Sequence, residues 1–278
     1  MTSSILRETE KLLKESRIRP SKGLGQNFLI SEAVIENIIQ TADLGPNDIV
    51  LEIGAGTGIL TKELAKKAKR VITIEKDARM VAILQKELEK FKNVKVVHGD
   101  TLRIRDDELP TISYKLIANL PYYITTPVIR KSLESSRPPK TMVLMVQKEV
   151  AQKIVAKPPK TNLLAVSVHI YARPKIVSFV SKESFWPKPR VDSAILQITP
   201  LINADKKLIN TNAFFKILKA GFSQPRKQLL NNFSNVLKLK KEVTKNLLIK
   251  QGIDPTRRAG TITIEEWIQL TENFSSIL

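Results

Sequence analysis

The sequence predicts an α/β fold: a mostly parallel sheet covered by helices on both faces, followed by a small all-helical domain. Three observations carry this expectation. Short apolar runs recur from residue 49 onward, separated by segments of helix length, the pattern of strands buried on both faces. The first of these runs ends in Gly54, Gly56 and Gly58, where a strand can feed a helix through a tight turn. After Pro200 the runs stop, and Leu, Ile and Phe recur at three- and four-residue spacing through 211–273, which is the period of buried helix faces.

The elements follow in order. Ser31 can cap a helix whose apolar positions are Val34, Ile35, Ile38, Ile39 and Ala42, and "GPND" ends it. "IVLEIG" (49–54) is the first strand, and the helix after its glycines carries Leu60, Leu64 and Ala68 on one face. "RVITIE" (70–75) is the second strand, with Asp77 capping a helix that runs through Val81, Leu84 and Leu88. "NVKVVHGD" (93–100), "YKLIANLP" (114–121) and "TMVLMVQ" (141–147) continue the series, the last followed by a helix from about Lys148. "AVSVHIYA", "KIVSFVS" and "SAILQIT" then come close together, which suits three antiparallel strands closing one edge. The domain boundary is placed at residue 200, giving 1–200 and 201–278.

Composition narrows the function. The 278 residues carry 46 Lys+Arg against 27 Asp+Glu, a net charge of +19, and the excess is spread over both parts of the chain. Such a balance implies a polyanionic partner, with nucleic acid ahead of an anionic membrane surface, because each cation that meets a phosphate releases condensed counterions. There are no cysteines, so disulfides, thiolate metal sites and cysteine nucleophiles are excluded together. The first twenty residues have no apolar core of signal-peptide length, Glu8, Glu10 and Glu15 are wrong for a transit peptide, and no run is long enough to span a membrane. A cytoplasmic protein is expected. His98 and His169 lie far apart without a matching carboxylate spacing, so no metal site is expected.

The glycine turn has the spacing G-x-G-x-G, with Ile59 where a dinucleotide site would want a further glycine. That variant suits S-adenosylmethionine, which has no pyrophosphate to seat on a helix N-terminus. Glu75 ends the next strand, 21 residues after Gly54, where a carboxylate can accept from both ribose hydroxyls. Asp100 ends the strand after that, placed to accept from the exocyclic amine of the cofactor's adenine, and Asn119 ends the fourth. Polar side chains at the carboxyl ends of successive parallel strands converge on one crevice.

Asn119 opens the stretch "NLPYY" (119–123). The amine on adenine C6 is a poor nucleophile because its lone pair is delocalised into the ring, and accepting hydrogen bonds from the amine restores it. The side-chain oxygen of Asn119 and the backbone carbonyl of Leu120 are the two candidate acceptors, with Pro121 stiffening the turn between them. Tyr122 supplies a flat face on which a flipped base can stack.

"KGLGQNFL" (22–29), "VLEIGAGTGILT", "IEKD", "HGDTL", "NLPYYITTPV", "MVQKEVAQKI" and "FWPKPRVDSAIL" occur in this order, and in that set the chain resembles the ribosomal RNA adenine dimethyltransferases, in particular their small-subunit branch. The resemblance is dense over residues 17–200. It implies a Rossmann-like class I methyltransferase with a seven-stranded sheet and a helical C-terminal domain. It also implies transfer of two methyl groups to N6 of each of two adjacent adenosines near the 3′ end of small-subunit ribosomal RNA, within a pre-ribosomal particle and by a monomer. It implies cofactor contact by Asn27, Leu29, Gly54, Glu75, Asp100 and Asn119, and a grip on the target base by Asn119 to Tyr122 with Phe185 as the second aromatic face. "FSQPRKQLLNNF" (222–233) resembles the family's basic helix but has Pro225 where a second arginine is usual, leaving RNA contact to Arg226 and Lys227. "RRAG" has Gly260 where a glutamate is common.

Three rivals share part of this pattern. They are a large-subunit methyltransferase of the macrolide-resistance type, where "NIPY" is commoner than "NLPY"; a non-catalytic nucleic-acid-binding relative; and a DNA adenine methyltransferase, for which an obvious base-reading insert is missing.

Overall fold

In the computed structural model, residues 4–201 and 210–275 are described. The chain divides into two compact units, Met1–Ala151 with Pro174–Pro200, and Gln152–Arg173 with Leu201–Leu278. Residues 152–173, expected in the first domain, thus fall in the second unit, and residues 202–209, which open the expected C-terminal domain, lie outside the described residues.

The first unit opens with α1 (Ser4–Glu15), which buries Ile5, Thr9 and Leu13 and was not anticipated from the sequence. After β1 (Phe28–Leu29) come α2 (Glu32–Ala42), β2 (Ile49–Ile53), α3 (Ile59–Lys67), β3 (Arg70–Glu75), α4 (Ala78–Glu87), β4 (Val94–His98), β5 (Lys115–Asn119), α5 (Thr125–Glu134), β6 (Met142–Gln147) and α6 (Lys148–Ile154). Each expected strand through residue 147 is present within two residues of its expected ends. Ser31 stands at the N-cap of α2 without a side-chain cap bond, whereas the Asp77 carboxylate accepts from Arg79 N and caps α4 as expected.

One expectation fails in the next segment. Most of "AVSVHIYA" lies in α7 (Leu163–His169) and only its last residue, Ala172, is in a strand. Asn162 caps it by accepting from Ala165 N, Ser167 Oγ bonds back to Leu163 O, and Ala165, Val166 and Val168 are buried on one face. A short run of β-branched residues was overridden by a strong N-cap and by helix packing. The strands β7 (Ala172–Val180), β8 (Phe185–Trp186) and β9 (Ser193–Pro200) follow.

The large sheet has seven strands in the order β4-β3-β2-β5-β6-β9-β7. The pairs among β4, β3, β2, β5 and β6 are parallel, and β9 runs antiparallel to β6. β2 is buried at every position, as a central strand covered on both faces must be. Successive strands are laid outward from β2 in one direction and then, from β5, in the other, so the crevice between the ends of β2 and β5 is the topological switch point where such sheets bind ligands. β1 and β8 form a separate antiparallel pair with Leu29 opposite Phe185 and Phe28 opposite Trp186.

The second unit holds α8 (Thr211–Gly221), α9 (Leu229–Leu237), α10 (Lys241–Lys250) and α11 (Ile264–Ser275). Its core stacks Trp267 on Phe222 at 5.5 Å and sets Phe233 edge-on to Trp267. Residues 152–173 join it through Tyr171, whose ring stacks on Phe215 and whose carbonyl accepts from Leu201 N, and through the Thr161 N to Gly260 O bond at 3.1 Å. A Cβ on Gly260 would come within 3.1 Å of Thr161 O, which accounts for glycine at that position. Among the described residues no helix is long and apolar enough to cross a membrane.

Candidate active site

A cleft, partly open to solvent, lies at the switch point within the first unit. It collects Asn27, Leu29, Gly54, Glu75, Asp100, Asn119, Leu120, Pro121, Tyr122 and Phe185 from six separate segments, so every candidate that the sequence placed on cofactor or base lines one cavity. Arg226 and Lys227 lie in the second unit. They are exposed in the turn before α9, not on a helix, because Pro225 and the extended Gln228, which bridges to Arg258, delay the helix start to Leu229.

One half of the cleft is built on backbone. Gly54, Gly56 and Gly58 have φ of +75°, +57° and +82°, values that side chains resist. A Cβ on Gly56 would stand 3.1 Å from the Phe28 ring. Gly54 N donates to Ile74 O at 2.9 Å, which ties the turn to the neighbouring strand. Glu75 is 7% exposed, and its two oxygens accept from Gly56 N at 3.1 Å and Asp77 N at 2.9 Å. Each oxygen keeps a second lone pair, so a vicinal diol could donate to both. Asp100 accepts from Lys76 Nζ and from Leu102 N, and the Lys76 bond holds its carboxyl below the usual range despite partial burial.

The other half is aromatic and amide. Asn119 Nδ2 donates to the carbonyl of Asn27 at 3.1 Å. That carbonyl can only accept, so the carboxamide orientation is fixed, and among the described residues nothing donates to Asn119 Oδ1. Tyr122 is half-buried, with its hydroxyl bonded to Ser193 Oγ at 2.8 Å and its pKa pushed up by burial. Phe185 is 3% exposed and reaches the cleft through the β1/β8 pair. Tyr123, the second tyrosine of the stretch, is 55% exposed at the rim.

Two features were missed in the sequence. Glu52, inside the apolar run of β2, lines the cleft at 1% exposure, and burial pushes its pKa up to about 7. The signal was a carboxylate in an otherwise apolar strand. Gln26 reaches from the loop before β1 to Asp77, with Nε2 3.0 Å from Oδ2. His98 and His169 are not among the residues that line the cleft; His169, in the second unit, lies on α7 with Nε2 at 2.9 Å from Ile154 O. Among the described residues no group of three or more His, Asp or Glu could hold a metal ion.

A sequence model of the family described as ribosomal RNA adenine dimethylase matches residues 18–276. The chain belongs to that family. It is 42% identical over 269 residues to a protein of Dehalococcoides mccartyi named ribosomal RNA small subunit methyltransferase A, covering 96% of this chain and 92% of the relative. A protein of the same name from Clostridium botulinum is 40% identical over 274 residues, covering 97% and 99%. Among solved structures, a dimethyladenosine transferase from Plasmodium falciparum superposes with a TM-score of 0.78 at 28% identity, covering 90% of this chain and 98% of that one. The 23S rRNA methyltransferase ErmE superposes with a TM-score of 0.70 at 26% identity, covering 90% and 100%. The seven-stranded, mostly parallel sheet and the helical second unit are those of a Rossmann-like methyltransferase, as expected for this dimethylase family.

Proposed function

We propose that this dimethylase transfers methyl groups from S-adenosylmethionine to N6 of two adjacent adenosines near the 3′ end of small-subunit ribosomal RNA, within a pre-ribosomal particle. The observation that carries this reading is the fixed Asn119 carboxamide, with its Nδ2 committed to Asn27 O and its Oδ1 left as an acceptor between a glycine-carboxylate wall and an aromatic wall.

The residues present fit the cofactor. The glycine turn gives side-chain-free backbone, Glu75 offers two lone pairs to a ribose diol, and Asp100 stays ionised beside Lys76 as an acceptor for an adenine amine. Asn27 and Leu29 close this part of the cleft from the N-terminal side. When bound, the sulfonium cofactor supplies an electrophilic methyl group and a good leaving group.

The protein's own part is positioning and electrostatics. Asn119 Oδ1 and Leu120 O accept from the two N–H bonds of the target amine, which restores lone-pair density on N6 and stabilises the positive charge that develops there. Pro121 fixes the turn that presents the Leu120 carbonyl. Tyr122, its hydroxyl anchored to Ser193, and the buried Phe185 supply aromatic faces for the extruded base. No strong base is required, since the proton can leave after methyl transfer. Arg226 and Lys227 are proposed as phosphate contacts in the second unit.

The higher identity to small-subunit relatives than to the large-subunit enzyme and the "NLPY" spelling support the small-subunit substrate. The test is labelled methyl transfer to purified small and large subunits that lack adenine dimethylation, followed by nucleoside analysis. Label as N6,N6-dimethyladenosine in the small subunit is expected. Label confined to the large subunit would overturn the substrate assignment, and cofactor binding without transfer to either would overturn the enzymatic one.

A further inference from the structure

Two adjacent residues of one loop, Gln26 and Asn27, make hydrogen bonds to opposite sides of the cleft. Gln26 Nε2 donates to Asp77 Oδ2 at 3.0 Å, at the N-terminus of α4. Asn27 O accepts from Asn119 Nδ2 at 3.1 Å, at the end of β5. Asp77 is itself bound to the ribose-side carboxylate, since Asp77 N donates to Glu75 Oε1 at 2.9 Å. A path of short polar contacts therefore runs from Glu75 through Asp77 and the loop to the Asn119 carboxamide.

Neither partner needs the Gln26–Asp77 bond for its own local structure. The loop is already closed by Gln26 N to Ser21 O at 3.2 Å, Gly25 N to Lys22 O at 3.0 Å and Ser21 N to Gln26 Oε1 at 2.7 Å. Asp77 already caps α4 through Arg79 N, and the Arg79 guanidinium covers both of its oxygens. The chain beyond Asn27 is anchored separately by the β1/β8 pair. What the bond adds is a tie between the cofactor wall and the loop that orients Asn119. Asp77 is 7% exposed and holds its charge beside Arg79, so the bond is charge-assisted and largely shielded from water.

We propose that Gln26 is a positioning residue. Its bond to Asp77 holds residues 21–29 across the cleft so that Asn27 O fixes the Asn119 carboxamide, which couples cofactor occupancy at Glu75 to alignment of the amine acceptor. The proposal rests on the reading of the cleft given above and adds to it a link between the two half-sites.

The test uses the full chain as wild type, Gln26→Ala, Gln26→Glu, Asp77→Asn, and the double variant Gln26→Glu with Asp77→Asn. The double variant exchanges donor and acceptor. The carboxylate introduced at position 26 accepts both from Ser21 N and from the amide nitrogen introduced at position 77, and the oxygen of that amide can still cap α4, while Arg79 Nη2, which loses its acceptor at position 77, is half-exposed and can turn to solvent or to the new carboxylate. Three readouts are taken: S-adenosylhomocysteine Kd by calorimetry, kcat and KM on small-subunit particles, and Tm. Gln26→Ala removes the bond to Asp77 together with the one from Ser21 N; it is expected to weaken S-adenosylhomocysteine binding and lower kcat by about tenfold each, the scale of a hydrogen bond to a charged group, with KM for the particle little changed and only a small fall in Tm from the lost loop bond. Gln26→Glu is expected to be worse, and the double variant to regain most of both losses.

A Gln26→Ala protein of lowered Tm but wild-type Kd and kcat would reduce the residue to loop packing and overturn the proposal. So would a double variant no better than Gln26→Glu alone. If the wild type binds S-adenosylhomocysteine but transfers no methyl to any particle, the functional reading fails, and the calorimetric series alone decides whether Gln26 tightens the cofactor half.

Discussion

Replacing Glu52 by Gln should stabilise the fold, and increasingly so as pH rises. Glu52 stands in the central strand β2 at 1% exposure, and burial pushes its pKa from 4.5 up to about 7, with the Thr61 hydroxyl donating at 2.6 Å as partial relief and the Glu75 carboxylate adding repulsion. Thr73, opposite Glu52 in register, stands near enough to temper the shift, yet its buried hydroxyl has no partner at hydrogen-bonding geometry; a proton on Glu52 would supply the missing donor. Between pH 4.5 and 7 the unfolded chain has released this proton while the folded chain keeps it, so the unfolded state binds fewer protons and stability falls as pH rises. Above pH 7 both states are ionised and the penalty is constant at about 3 kcal/mol. Gln removes that penalty, keeps the acceptor for Thr61 and can donate to Thr73. The expected difference in urea unfolding free energy, Glu52→Gln minus wild type, is under about 1 kcal/mol at pH 5 and rises to about 3 kcal/mol at pH 8. Taking the difference cancels the other titrating groups. A difference that stays flat across this range, or a variant destabilised throughout it, would refute the reasoning.

Three further outcomes follow from the site. Asn119→Ala should lower methyl transfer by at least about 100-fold while S-adenosylhomocysteine still binds measurably by calorimetry; normal turnover would remove Asn119 from the chemistry. Gly56→Ala, forced to φ +57° with a Cβ 3.1 Å from the Phe28 ring, should weaken S-adenosylhomocysteine binding by about tenfold, measured in the same titration. Arg226→Ala with Lys227→Ala should weaken particle binding and make the salt dependence of log affinity shallower by roughly one to two in slope, with S-adenosylhomocysteine affinity unchanged.

The central strands β2, β3, β5 and β6 were legible because they are largely buried on both faces. A run such as "IVLEI" or "MVLMVQ" can be little else between glycine, proline and charged segments. The site was legible for a related reason: parallel strands point their carboxyl ends one way, so Gly54, Glu75, Asp100 and Asn119 had to converge whatever the loops did. The helix α7 was not legible, because a run of seven residues with β-branched side chains fits either period, and the deciding bond is the Asn162 cap. Nor was α1, whose buried stripe of Ile5, Thr9 and Leu13 is narrow, includes a polar residue and sits in a charge-rich segment. The turn carrying Arg226 and Lys227 read as helix because its bridge, from Gln228 to Arg258, joins segments far apart in sequence. Gln26 was visible as a letter but not as a tie, since its partner lies 51 residues on.

The choice of an amide at position 119 follows from two demands that other side chains of its length cannot meet together. The target amine of the proposed reaction offers N–H donors, so a site that receives it must present an acceptor. The neighbouring protein group is the Asn27 carbonyl, which is also an acceptor, so the same side chain must present a donor on its other edge. Leucine satisfies neither demand. Aspartate satisfies the first but would set a carboxylate oxygen against the Asn27 carbonyl, leaving two acceptors without a proton between them. Asparagine alone turns the conflict into an anchor: the bond to Asn27 selects the orientation in which Oδ1 is left for the substrate. It does so without a net charge, so the acceptor neither ionises with pH nor holds the amine so strongly in the ground state that methyl transfer gains nothing. On the proposed reading of the cleft, the polarity of position 119 is set by the loop that precedes β1 as much as by the adenine it would receive, and that is why a change at Gln26, which touches no reacting atom, should still be felt at N6.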